Sequence, residues 1–363
     1  MANFFNNLKQ KVKSFDIYDN AKILFIIPLI VVLIMLICGT CYQMNDSTYD
    51  KFANIGVDFQ GGTLLTVEFS ESGMNSGEKY DANLALISEA LNENGLSVSV
   101  AQSSGDSSIV VRYLNTARVN GQLVDYNSDE MVSEMNALNE QVKATISQKV
   151  AKTYDGAVTV TSTTTLIGNS ASMRLLRTAL ISVAVALALM LVYIVIRFDL
   201  YSALAAIVAL VHDILIMMCF TIIFYVEIGS TIVAAIITIV AYSINNTIIV
   251  FDKVRTLTKP YKKSHERFDV GPVINNAVRS TFTRTVFTTL TTLVVIALLG
   301  ILGVASIRTF ALPILFGLIG GFYSSVFLAG PLWGIFKGWG EKLKLFIANR
   351  KFNKQRKAKA IKA

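Results

Sequence analysis

Long apolar runs constrain this chain more than any other feature. A bilayer core of about 30 Å needs about 20 consecutive apolar residues in a helix. Six stretches qualify, near Ile23–Cys41, Thr178–Ile196, Tyr201–Tyr225, Ser230–Phe251, Thr285–Val304 and Phe310–Phe336. The last can be one tilted span or two poorly separated pieces. Composition agrees: 53% of the 363 residues are hydrophobic and only 16% are charged, which excludes an ordinary soluble chain. The first run follows Lys9, Lys11, Lys13 and Lys22, as a secretory signal would. It is too long for a signal core and no small-residue cleavage site follows, so a retained span is expected.

Lys and Arg set the sidedness. Segment 252–279 carries seven basic and three acidic residues, and segment 337–363 carries ten and one. Both are expected in the cytoplasm. Residues 43–173 carry sixteen acidic and seven basic residues, so this long insertion is expected outside. The layout is then a cytoplasmic N-terminus at 1–22, a span at 23–42, an extracytoplasmic domain at 43–173, and five spans within 174–337. A basic cytoplasmic loop falls near 252–279 and a basic cytoplasmic tail at 338–363. Both termini face the cytoplasm.

The insertion has its own pattern. "GVDFQGGTLLTVEF" reads as two extended pieces broken at Gly61-Gly62. "DANLALISEALNENG" reads as a helix closed by Gly95. "LSVSVAQ" and "SSIVVRYL" alternate like strands about a turn at Gly105-Asp106. A second helix is expected from a Ser128 cap through "SDEMVSEMNALNEQVKATISQKV", then a β-branched strand, "AVTVTSTTTL". The order β-α-β-β-α-β is ferredoxin-like. The expected fold class is an α-helical membrane protein with six transmembrane helices and an α+β ferredoxin-like outer domain between the first two. Such a sheet can bind peptide at an edge or groove, or serve as a spacer.

Polar side chains inside the spans are the functional candidates. Asp213 lies about 18 Å along the third run from Tyr201, at 1.5 Å per residue. It reads as an ion-carrying group or as a carboxyl hydrogen-bonded to a neighbouring helix. Ser243, Asn245, Asn246 and Thr247 cluster in the fourth run, with Asn246 about 9 Å from its charged end at Asp252. They read as contacts between helices, a role in which each hydrogen bond contributes about 0.6–2 kcal/mol. Arg284, Thr288 and Thr291 are spaced to share one helical face, and Arg284 is at a depth where it can meet Asn246. Gly317 and Gly321 form a small-xxx-small face in the last run, with Pro313 and Pro331 near its ends. Cys38, Cys41 and Cys219 have no metal or disulfide spacing and are expected as packing residues. No metal site, nucleotide loop or nucleophilic triad is present in the sequence, so an enzyme is not expected.

Several stretches in one register resemble the SecD–SecF family of Sec translocon accessory subunits, in the resistance-nodulation-division superfamily. "GVDFQGGT" resembles the family's GIDFxGG box, which matches Gly56, Asp58, Phe59, Gly61 and Gly62. "RFDLYSALAAIVALVHDI", "AYSINNTIIVFDKVR" and "RSTFTRTVFTTLTTL" resemble its spans three to five. "FALPILFGLIGGFYSSVFLAGPL" resembles its last span, with Ser324 and Ser325 at the paired serines. The single-copy layout fits the SecF half. The resemblance implies SecD as partner, the SecY–SecE–SecG channel, YidC- or YajC-type accessories, unfolded secretory polypeptide and bacterial membrane lipids. It implies no cofactor, no specific nucleic acid, and coupling to H⁺ or Na⁺.

One position departs from that pattern: the family has an aspartate where this chain has Asn246, and an amide does not titrate near neutral pH. Coupling can then draw on a carboxylate from SecD, on Na⁺ with an amide oxygen as ligand, or be absent. Asp213 is the remaining carboxylate in these spans. A passive scaffold and a small-molecule or lipid exporter are the alternative functions.

Overall fold

A computed structural model of the protein describes residues 16–44, 52–75, 77–104, 106–119, 122–264, 266, 268–303 and 305–362. Lys9, Lys11, Lys13 and Gly105 lie outside the described residues. The first span is α1 (Ala21–Met44), with Pro28 inside it. Large apolar side chains on it point outward, Leu29 at 67% exposure, as they do in a helix that faces hydrocarbon.

The insertion then folds on itself. A single turn of helix, α2 (Val57–Gln60), precedes β1 (Gly62–Phe69), α3 (Gly77–Glu93), β2 (Val98–Ser104) and β3 (Ser108–Leu114). A short hairpin follows, β4 (Thr116–Val119) and β5 (Gln122–Asp125), then α4 (Val132–Thr153) and β6 (Val160–Ile167). The main sheet has the order β2-β3-β1-β6 with every neighbour antiparallel. That is the ferredoxin-like order, with the hairpin added. Leu65, Val67, Ile109, Val111 and Tyr113 of the sheet bury one face against Ile87 and Leu91 of α3 and Met135, Val142 and Ile146 of α4.

Local departures have local causes. Residues 57–60 are not extended, because Gly56 starts a helical turn that Gly61 ends at φ +81°. Ser128 makes no side-chain cap, since a 3₁₀ turn (Asp129–Met131) comes between it and α4. The β4–β5 hairpin is too short and too polar to stand out by alternation.

The remaining spans are α5 (Asn169–Arg197), α6 (Leu200–Ile223), α7 (Thr231–Ser264), α8 (Val270–Leu302) and a final continuous helix. That helix is α9 (Ala305–Tyr323), a π-helical turn (Ser324–Leu328) and α10 (Ala329–Lys362). With α1, these give six helices among the described residues long and apolar enough to cross a membrane. The last apolar run is therefore one long helix, with Pro313 and Pro331 both inside it. Most of the basic segment 252–279 is helical, drawn into the ends of α7 and α8, with residues 266, 268 and 269 the described ones between them.

Helices α6, α7 and the final helix form the buried centre, through Ala203, Ala206, Leu210, Ile244, Phe251, Val326 and Leu332. α5 lies outside it, with Leu180 64% exposed. Cys219 is buried, as a packing residue should be, whereas Cys41 is exposed on the outward side of α1.

Candidate functional site

Small residues bring the central helices together. A Cβ placed on Gly317 would come within 2.5 Å of Ile239, and one on Gly321 within 3.0 Å of the Ser243 Cβ and 3.6 Å of Asp213 Oδ2. The small-xxx-small face of α9 thus packs on α7 and α6 at the height of the buried acid.

A polar seam occupies that contact. Asp213 of α6 is fully buried. Its Oδ1 lies 2.9 Å from His212 Nδ1, and its Oδ2 accepts a hydrogen bond from the Ser243 hydroxyl. Ser324, also fully buried, reaches the same carboxyl group. His212 stacks on Tyr323, whose hydroxyl donates to the Leu24 carbonyl of α1 at 2.6 Å. Ser243, Asn246 and Thr247 lie three and four apart on one face of α7. Asn246 Nδ2 donates to Thr289 Oγ1 of α8 at 3.3 Å, and Thr247 Oγ1 lies 3.2 Å from Ser325 Oγ. One face of α7 therefore reaches α6, α8 and the π turn. The π turn sits where Ser324 and Ser325 direct their hydroxyls to the Gly321 carbonyl, at 3.2 and 2.6 Å. Such competition with the helix backbone accompanies local unwinding.

The structure divides the expected cluster in two. Asn246 is fully buried, but its neighbour Asn245 is exposed and lines a cavity of about 450 Å³ with Arg284, Arg197 and Tyr193. Arg284 and Asn246 do not meet. Arg284, Thr288 and Thr291 form the outward stripe of α8, and among the described residues Thr288 Oγ1 bonds its own helix, at the Arg284 and Thr285 carbonyls. The inward stripe is Thr281, Thr285 and Thr289, which the sequence reading passed over. Their spacing of four was visible, but two threonine stripes one residue apart cannot be phased without the partner helices. Asn246 Oδ1 is buried with no hydrogen-bond partner among the described residues.

The other motif lies at the outer end of the same helices. The segment before α2 adds to the α6–α7 loop as a parallel bridge, Ile55 to Ile228. Gly56 N donates to the Ile228 carbonyl at 3.0 Å and Ile228 N to the Asn54 carbonyl at 2.7 Å. Asp58 Oδ2 accepts from Ser230 N at 2.8 Å, which caps the start of α7 from another part of the chain. A carboxylate there also meets the positive end of the helix dipole. Phe59 packs into the apolar cluster of Met217, Ile232, Ile239 and Ile314. Gly62 opens β1, paired to Leu114 and Ile167. The Gly56-to-Gly62 motif is thus a joint between the outer domain and the spans. That joint also holds a buried acid, Glu227, which no motif in the sequence marks. A lone carboxylate between two apolar runs was its only signal.

Comparison with known proteins fits both features. Residues 145–339 match the family described as protein export membrane protein SecD/SecF, C-terminal, and residues 54–72 match the SecD/SecF GG motif. The chain belongs to the SecF family. It is 31% identical to the protein translocase subunit SecF of Sebaldella termitidis, over 79% of this chain and 83% of that protein. To the SecF of Borreliella burgdorferi it is 31% identical over 84% of this chain and 92% of that one. The crystal structure of SecDF, a translocon-associated membrane protein from Thermus thermophilus, is similar at TM-score 0.58 and 26% identity. The match covers 89% of this chain and 39% of that longer one. The SecF relationship and the six helices make this a multi-pass membrane protein.

Proposed function

We propose that this chain is an accessory subunit of the Sec translocase that works with SecD to draw unfolded polypeptide outward, driven by an ion gradient. One observation carries the reading: α7 touches the buried Asp213 through Ser243 and is capped at its outer end by Asp58 of the outer domain. A change at the acid can shift a single rigid helix whose far end holds that domain. The gradient supplies about 2.3 kcal/mol per charge per 100 mV, which biases a two-state motion by a factor of tens. Asp213 is the H⁺-binding group in this reading. The unpartnered Asn246 Oδ1 is an oxygen that Na⁺ could use instead. The Lys and Arg distribution supports cytoplasmic termini, the SecF relatives support a bacterial cell membrane setting, and the channel SecY–SecE–SecG is the machinery served. The test is export into vesicles containing SecD, the channel and this chain, with and without an imposed gradient. Asp213→Asn is expected to assemble normally and lose the gradient's stimulation; unchanged stimulation would refute coupling through this acid.

A passive scaffold is favoured by a different observation. Arg284, Asn245, Thr288 and Thr291 point out of the bundle, where polar groups need a protein neighbour rather than lipid. In that reading SecD covers the stripe, and Asp213→Asn leaves both assembly and export intact.

A further inference from the structure

The loop between α6 and α7 holds a buried acid that the seam does not use. Glu227 is 6% exposed, and its Oε1 has no hydrogen-bond partner among the described residues. Gly56 lies so close that a methyl group there would come within 2.5 Å of that oxygen. Two charged groups face Glu227 from the elements packed on it, Arg112 of β3 and Asp58 of α2. Arg112 makes no ion pair with it within 4 Å among the described residues, and the Arg112 Nε is itself without a partner. A carboxyl group that is buried, short of donors and beside a second acid is poorly suited to holding charge and well suited to holding a proton.

We propose that the Glu227 carboxyl group is a proton-binding site of this chain at its outer face, and that the bound proton holds the outer domain's motif turn against the α6–α7 loop. The site is separate from the seam and does not depend on the role given to Asp213.

The direction of the effect follows from the surroundings. Burial pushes the Glu227 carboxyl above its ordinary range; Arg112 opposes this and Asp58 adds to it. When the joint opens, the side chain regains water and its ordinary affinity for the proton. The docked form therefore binds the proton more tightly. Its stabilisation is complete below the ordinary carboxylate value and is lost as pH rises through the raised value of the docked form. Above that window an ionised Glu227 needs water and repels Asp58, and the Gly56 turn lifts.

The experiment uses the full chain with its SecD partner in vesicles, with Cys38, Cys41 and Cys219 replaced by serine. Ile55→Cys and Ile228→Cys place a thiol pair across the bridge. Disulfide formation is followed against pH with Glu227 present and with Glu227→Gln. The thiol at position 228 adjoins residue 227, so thiol reactivity at each pH is also measured with a small alkylating reagent in both forms, and the ratio corrected for it isolates the joint. The ratio is expected to be near one at low pH and to fall on raising pH, by at most about tenfold per pH unit for one proton. A ratio flat with pH would overturn the proposal. So would Glu227→Gln failing to cross-link at every pH, because the charged form would then be what holds the joint. Arg112→Gln, which removes the opposing charge, is expected to move the fall to higher pH, and a move to lower pH would also overturn it. Export is not read, so the motor reading can fail without touching this result.

Discussion

Asp213, halfway along α6, and Glu227, just beyond its end, are both buried acids. They are held in opposite ways. Asp213 has a partner on each oxygen, His212 and Ser243, with Ser324 close by. Glu227 has an unpartnered oxygen and a glycine pressed against it. The difference is one of material. The seam is built from side-chain hydroxyls and amides on packed helices, which can rotate to satisfy a carboxyl group. The joint is built largely from backbone, whose donors are already used by the Ile55–Ile228 bridge and the Asp58 cap. A satisfied acid stiffens its surroundings, whereas an unsatisfied one makes them sensitive to its protonation.

The largest effect that would sharpen the contrast is expected at Asp213. Asp213→Ala leaves the Ser243 hydroxyl and the His212 ring without their partner and opens space among α6, α7 and the final helix. A loss of about 3 kcal/mol is expected in thermal or detergent unfolding of the purified chain. Asp213→Asn, which keeps most of the hydrogen bonds, should cost about 1 kcal/mol. Equal losses would mean that the seam is not satisfied as described.

Next comes Gly56→Ala. The added methyl must displace Glu227, so the joint is expected to weaken by about 1–3 kcal/mol while the spans stay folded. Protease sensitivity of the outer domain should rise with the helical unfolding transition unmoved. If the two change together, joint and seam are one cooperative unit.

The smaller effects test the two stripes of α8. Thr289→Val removes the partner of Asn246 and should cost about 1 kcal/mol. Thr288→Val touches only an outward hydroxyl bonded to its own backbone and should change stability by less than about 0.5 kcal/mol in the isolated chain. In the presence of SecD the order can reverse, and a reversal would identify the outward stripe as covered by the partner. Acidification sharpens the same comparison: lower pH should tighten the joint through Glu227.

Much of this molecule was written locally. Apolar length alone marked six spans, because a helix in lipid must satisfy its backbone internally over a fixed thickness. Alternation and turn residues gave the βαββαβ order of the outer domain, since each strand needs one buried face whatever its neighbours are. Asp213, Ser243, Asn246 and Thr247 were legible as buried polar groups, because polar side chains deep in a span must find protein. What the chain's pattern left open was azimuth. Asn245 and Asn246 differ by one residue, and so do Arg284 and Thr285, yet one of each pair faces the core and the other faces out. Both phases are polar, so hydrophobic periodicity does not choose between them; contact with α6 and the final helix does. The joint was beyond local reading for the same kind of reason. Gly56 and Asp58 are far from Glu227 along the chain, and only the docking of a backbone turn on a distant loop gives the glycine its need for space and the glutamate its want of a partner.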